Sequence, residues 1–228
     1  MRLTARSCCS TKPPSKDWVR VMVSNSRRPS LGMWALSSDP QFLEISGESG
    51  LDFVILDFEH GHFSLESSVG LLRAAGGAGL EVHARVRHFR DDRIGRLLDA
   101  GFTNLLFPDI YCEEQLEHIQ KIAFFPPAGE RGLSPFTRGN GYSPSQYSRR
   151  KSLDSLDPSV GIMLERAEAF DNLEALLTNE LKPSSVYVGL YDLSRSLGFP
   201  GDLSQPPLWE LIDRVAAALA HEDVRLGT

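Results

Sequence analysis

Cysteine is scarce in this 228-residue chain, with Cys8, Cys9 and Cys112 the only three. An odd set with two adjacent members makes no disulfide framework and no metal site on spacing, and it suits a reducing cytoplasm. No apolar run approaches the roughly 18 residues needed to span a bilayer. Basic residues number 24 against 30 acidic ones, and the net charge of −6 disfavours nucleic acid or an anionic membrane as partner. Neither G-x-G-x-x-G nor G-x-x-x-x-G-K-[ST] stands where a nucleotide fold would need it. Lysine is missing from every expected strand end, since Lys121, Lys151 and Lys182 fall in helices or loops. A Schiff-base mechanism therefore has no obvious nucleophile.

Glycine, proline and apolar residues punctuate the remaining chain regularly. The basic, Ser/Thr-rich stretch 1–29, broken by Pro13-Pro14, reads as a disordered leader, with a transit peptide as the alternative. Residues 30–228 read as one domain. Strands are expected at Gly32–Leu36, Phe53–Leu56, Glu81–Val86, Asn104–Phe107, Val160–Leu164, Ser185–Val188 and His221–Gly227. Helices are expected at Asp39–Glu48, Leu65–Ala75, Asp92–Ala100, Glu113–Ile122, Ala167–Leu177 and Leu208–Ala220. Only Pro126–Pro158 breaks the rhythm, as a long loop of the kind that usually carries function or disorder. Strands alternating with helices imply an α/β fold with a parallel sheet. The regular spacing favours a (β/α)8 barrel over a doubly wound sheet. Such a barrel takes about 250 residues, so about seven βα units are expected and the last one is missing.

Three apolar runs end in acids: Asp57-Phe58-Glu59-His60, Met163-Leu164-Glu165 and Val188-Gly189-Leu190-Tyr191-Asp192. An unpaired carboxylate at a buried strand tip is costly unless something binds there, and barrel enzymes build their sites at such tips. Glu165 and Asp192 are expected to end neighbouring strands about 4.8 Å apart. Two carboxylates that close repel unless a proton or cation lies between them, and open oxygen sites suit Mg²⁺ or Mn²⁺. The competing role for Asp192 is to cap a following helix. His60, beside two acids, is a candidate general acid or base. Arg85 lies in a strand pattern and needs an anion partner, such as a substrate carboxylate. Asp99, near a helix C-terminus where a negative charge is unfavourable, suggests a partner such as His60.

Together these residues resemble the HpcH/HpaI aldolase family, the metal-dependent class II pyruvate aldolases. The resemblance rests on Gly32-x-Trp34, Asp57-x-Glu59-His60, Arg85, Leu97-Leu98-Asp99-x-Gly101, Pro126-Pro127-x-Gly129-x-Arg131-Gly132, Glu165, and Gly189-x-x-Asp192-Leu193-Ser194 with Leu197-Gly198. It implies that Glu165 and Asp192 hold Mg²⁺ or Mn²⁺, with Co²⁺ also acceptable. Arg85 would bind the substrate carboxylate and steady an enolate, and His60 with Asp99 would handle protons. Gly189, Leu190 and Tyr191 would line the substrate site. Met163 stands where the family often has Gln. The implied reaction cleaves a 4-hydroxy-2-oxo acid to pyruvate and an aldehyde, in a cytoplasmic homo-oligomer, trimeric or hexameric. Lyases or synthases of the citryl-CoA, malyl-CoA and citrate type are the alternative chemistry, and a non-catalytic barrel that only associates with other subunits is the alternative class.

Overall fold

The computed structural model describes residues 29–145 and 157–228. The expected leader, apart from Pro29, and the later part of the long loop lie outside the described residues. The strands are β1 (Gly32–Ala35), β2 (Phe53–Asp57), β3 (Glu81–Arg85), β4 (Asn104–Phe107), β5 (Ser159–Leu164), β6 (Ser185–Val188) and β7 (Arg225–Gly227). All pair in parallel with their neighbours in chain order. Between them run α1 (Pro40–Glu48), α2 (Leu65–Gly77), α3 (Ile94–Ala100), α4 (Glu113–Ala123), α5 (Ala167–Asp171), α6 (Leu173–Thr178), α7 (Leu190–Ser196) and α8 (Pro206–Leu219). No helix among the described residues is long and apolar enough to cross a membrane.

The helix starts follow local chemistry. Asp39 accepts the Gln41 N–H at 3.0 Å ahead of Pro40, which needs no N–H partner at the first helical position. Ser64 and Ser67 cap one another at the start of α2. That helix runs through Gly76 and Gly77, where a stop is expected from the sequence, and the chain turns at Gly79 with φ +75°. The single helix expected over Ala167–Leu177 is two, broken at Asn172, whose side-chain amide donates to the Tyr111 carbonyl at 2.8 Å.

β2, β4, β5 and β6 alternate between two cores. Val54, Leu56, Ala84, Leu105, Phe107, Ile162, Leu164 and Val186 pack outward against the helices. Ile55, Leu106, Met163 and Tyr187, with Phe53, form a smaller cluster on the inner face. At the amino ends of the strands, Arg225 of β7 makes two hydrogen bonds to Glu81 of β3, at 2.9 and 3.0 Å. In a flat sheet strands four places apart would be about 19 Å from one another, beyond the reach of this pair. The sheet therefore curls into an incomplete barrel, and β1 and β7 do not pair with each other.

The first part of the long loop folds back onto α3. Gly139 N–H donates to the Asp99 carbonyl at 2.9 Å, and Asn140, itself buried, donates to the Ser134 carbonyl at 2.7 Å. A Cβ at Gly139 would stand 2.3 Å from the Leu98 carbonyl oxygen, so this close approach requires glycine.

Candidate active site

Parallel register places Asp57, the last residue of β2, opposite Arg85, the last residue of β3. The buried Asp57 carboxylate accepts from Arg85 Nε at 2.9 Å and Nη2 at 2.6 Å. Burial opposes ionisation of Asp57, but the Arg85 hydrogen bonds and charge, with the N–H groups of His60 and Glu59, more than offset it and lower its pKa. Those two N–H groups reach Asp57 Oδ1 at 3.2 and 3.0 Å, so one carboxylate both holds Arg85 and shapes the turn carrying Glu59 and His60. Arg85 Nη1 lies 3.2 Å from Glu59, and the guanidinium stacks 4.7 Å from the Trp34 ring. The anion partner expected for Arg85 is thus present within the chain, and Nη1 is the guanidinium nitrogen that meets a second acid, Glu59.

Glu165 follows β5 directly and is buried. Its Oε2 accepts the Asp109 N–H at 2.8 Å. Burial drives its pKa up to about 7, with the charges of Glu59 and Asp192 adding to the rise while the Asp109 N–H and Arg85 oppose it. Burial likewise raises Glu59, against the opposing pull of Arg85 and His60. Gly189, at the end of β6, leaves room for this carboxylate: a Cβ there would stand 2.6 Å from Glu165 Oε1. Gly189→Ala is therefore expected to cost about 1–3 kcal/mol in overpacking and to displace Glu165. Urea denaturation alongside a Mn²⁺ titration reads both effects.

Asp192 differs from expectation. It does not end a strand: β6 stops at Val188, and Asp192 is the third residue of α7, a short helix not foreseen in the sequence. Its half-exposed carboxylate pairs with Arg195 at 3.1 Å, and it does not cap the helix, whose N-cap is Gly189. It still adds to the field that raises Glu59 and Glu165. His60 is exposed at the mouth, 3.9 Å from Glu59. Leu190 begins α7 partly buried, and Tyr191 beside it is exposed.

Within this chain the partner of Asp99 is Arg131, where the sequence suggests His60. Asp99 lies on α3, outside the sheet, and bonds Arg131 Nη2 at 3.0 Å. Arg131 comes from the irregular loop, is buried, and stacks 4.5 Å from the Phe125 ring. This pairing answers the unfavourable placing of Asp99 near a helix C-terminus and ties the loop to the helix. Periodicity gave no signal for it, because Arg131 lies in a stretch without any.

Among the described residues, no three His, Cys, Asp or Glu side chains gather closely enough to hold a metal ion by themselves. The donors present nevertheless fit a hard divalent cation that keeps waters and takes further oxygens from a substrate. Glu165 has one oxygen committed to a backbone N–H and the other beside Gly189, and its charge is disfavoured by two further acids. A cation would relieve that repulsion.

A curled parallel sheet with acids gathered at the carboxyl ends of its strands is the frame of a barrel-type enzyme. The family model for the HpcH/HpaI aldolase/citrate lyase group matches residues 30–227, and the chain belongs to this family. A 5-keto-4-deoxy-D-glucarate aldolase of Citrobacter koseri is 29% identical over 199 residues, covering 86% of this chain and 76% of that one. An HpcH/HpaI aldolase/citrate lyase family protein from Burkholderia cenocepacia superposes with a TM-score of 0.79 at 27% identity, over 92% and 83% of the two chains. The citrate synthase SbnG superposes with a TM-score of 0.73 at 25% identity, over 86% and 76%.

Proposed function

We propose that this chain is a class II aldolase that cleaves a 4-hydroxy-2-oxo acid to pyruvate and an aldehyde. The observation that carries this reading is Glu165, a buried carboxylate pushed up to about 7 by burial, with the charges of Glu59 and Asp192 adding to the rise. Glu165 and Asp192 would hold Mg²⁺ or Mn²⁺, with Co²⁺ as a possible substitute. When bound, the cation supplies Lewis acidity at the 2-oxo group. Asp57 keeps Arg85 charged and fixed by two hydrogen bonds. The Arg85 Nη1 contact to Glu59 is the one a substrate carboxylate can replace, because it is single and its partner is partly exposed. Positive charge held there stabilises negative charge developing on the 2-oxo acid as its carbon–carbon bond breaks. His60, exposed beside Glu59, would take the proton of the 4-hydroxyl. Met163 and Tyr187 belong to the buried cluster on the inner face of the sheet and would limit the access of water from that side.

The resemblance to 5-keto-4-deoxy-D-glucarate aldolases makes that compound the first substrate to try. Incubation with it and with shorter 4-hydroxy-2-oxo acids should release pyruvate, read by a coupled lactate dehydrogenase assay. The likeness to a citrate synthase supports a second reading, carbon–carbon bond chemistry on citrate-type or CoA-ester substrates. Turnover of those substrates with no pyruvate from any 4-hydroxy-2-oxo acid would favour it. Release of nothing from either class would favour a non-catalytic barrel.

A further inference from the structure

Directly after β4 the chain turns at Asp109, whose backbone is left-handed with φ 56°. Aspartate adopts that conformation more readily than most residues other than glycine, and here both its side chain and its carbonyl are held. Its carboxylate makes a two-pronged pair with the guanidinium of Arg166, the residue after Glu165. Its carbonyl accepts from the buried Gln115 side chain at 3.1 Å, and Gln115 Oε1 takes the N–H groups of Tyr111 and Cys112 at 2.7 and 3.1 Å. Arg166 also lies 4.8 Å over the Tyr111 ring. The left-handed turn directs the Asp109 N–H at Glu165 Oε2.

We propose that Asp109 and Arg166 are positioning residues that set Glu165 for its cation. Their pair locks the turn after β4 to the residue that follows β5. One oxygen of Glu165 is thereby fixed on a backbone N–H, and the other is left free to bind. This assignment rests on the aldolase reading above. The pair is neutral as a unit, so its action on Glu165 is geometric. A geometric role requires both Arg166→Gln and Asp109→Asn to weaken cation binding. A role through charge alone would give opposite signs, with loss of the guanidinium strengthening binding and loss of the carboxylate weakening it.

Calorimetric titration of the full chain with Mn²⁺ at pH 8 tests this, with thermal melting of each variant as the check on folding. R166Q and D109N should each weaken Mn²⁺ binding about tenfold, the lower end of what outer partners of a metal ligand contribute. The double variant should be no weaker than the worse single one, because the two residues act together. D109G, which accepts a left-handed turn without strain, keeps the N–H but loses the clamp, and should fold like the parent while binding Mn²⁺ less tightly. Unchanged binding in folded R166Q, D109N and D109G, or opposite signs for R166Q and D109N, overturns the assignment. If E165Q abolishes binding while these variants keep it, the assignment alone fails. If the parent binds no Mn²⁺, or E165Q binds as the parent does, the assignment and the aldolase reading fail together.

Discussion

Replacing Arg85 with alanine is expected to cost about 3–5 kcal/mol of folding stability, the usual result of leaving one member of a buried ion pair alone. The Asp57 and Arg85 side chains are 2% and 11% exposed, so water cannot take over the lost contacts. The cost should depend on pH with a definite sign. In the parent, burial is the largest single influence on Asp57, but Arg85 and the N–H groups of His60 and Glu59 together outweigh it and hold the pKa below its ordinary value of 3.8. The resulting stability is present above that value and is lost as pH falls through the folded-state pKa. Without Arg85 only burial and the turn N–H groups remain to act on Asp57. The difference between parent and variant in urea unfolding should therefore widen from pH 3 to pH 7. Asp57→Asn combined with Arg85→Met removes both charges while the amide oxygen can still accept the N–H groups of Glu59 and His60. That double variant should recover most of the stability and none of the activity, which separates the structural role of the pair from its chemistry.

Glu165→Gln should act in the opposite direction. Burial raises the Glu165 pKa from 4.5 to about 7, so the folded chain binds a proton that the unfolded chain releases between those values. Stability of the metal-free protein then falls as pH rises through that window, by a total on the order of 3 kcal/mol. The amide escapes this penalty. It can keep its oxygen on the Asp109 N–H and turn its NH₂ toward the remaining acids. At pH 8 and without metal the variant should be more stable than the parent, with little difference at pH 4. Its turnover should drop by more than the ~10–100-fold typical of losing an outer partner of a metal ligand. Greater stability with lost activity is what a carboxylate kept for function, at the expense of folding, would show. Melting curves over pH 4–8 together with steady-state rates provide the check.

Much of the frame was legible because its signals are local. The continuous apolar run Phe53–Leu56 marks a strand covered on both faces, and Asp39-Pro40 marks a helix start. Seven parallel strands in chain order follow from such runs repeated at the spacing of βα units. Glu165 and Arg85 could be singled out because a charge inside an apolar pattern demands a partner. What remained hidden were the partners themselves. Asp57 meets Arg85 across 28 residues through strand register, and pairing the two strand ends would have revealed it. Arg131 reaches Asp99 from an aperiodic loop, and Arg166 reaches Asp109 across 57 residues. Neither contact leaves a trace in composition or periodicity. The shift of Asp192 from a strand end to α7 has a similar origin: seven residues, Leu190–Ser196, are too few for a clear helical pattern.

If Glu165 and Asp192 hold the cation of an aldolase, pyruvate release from a 4-hydroxy-2-oxo acid must depend on that cation, which assays with and without EDTA would show. Release should stop in EDTA, return on adding excess Mn²⁺ or Mg²⁺, and fail to return in E165Q or D192N. Undiminished release in EDTA, or full activity in both variants, would contradict it.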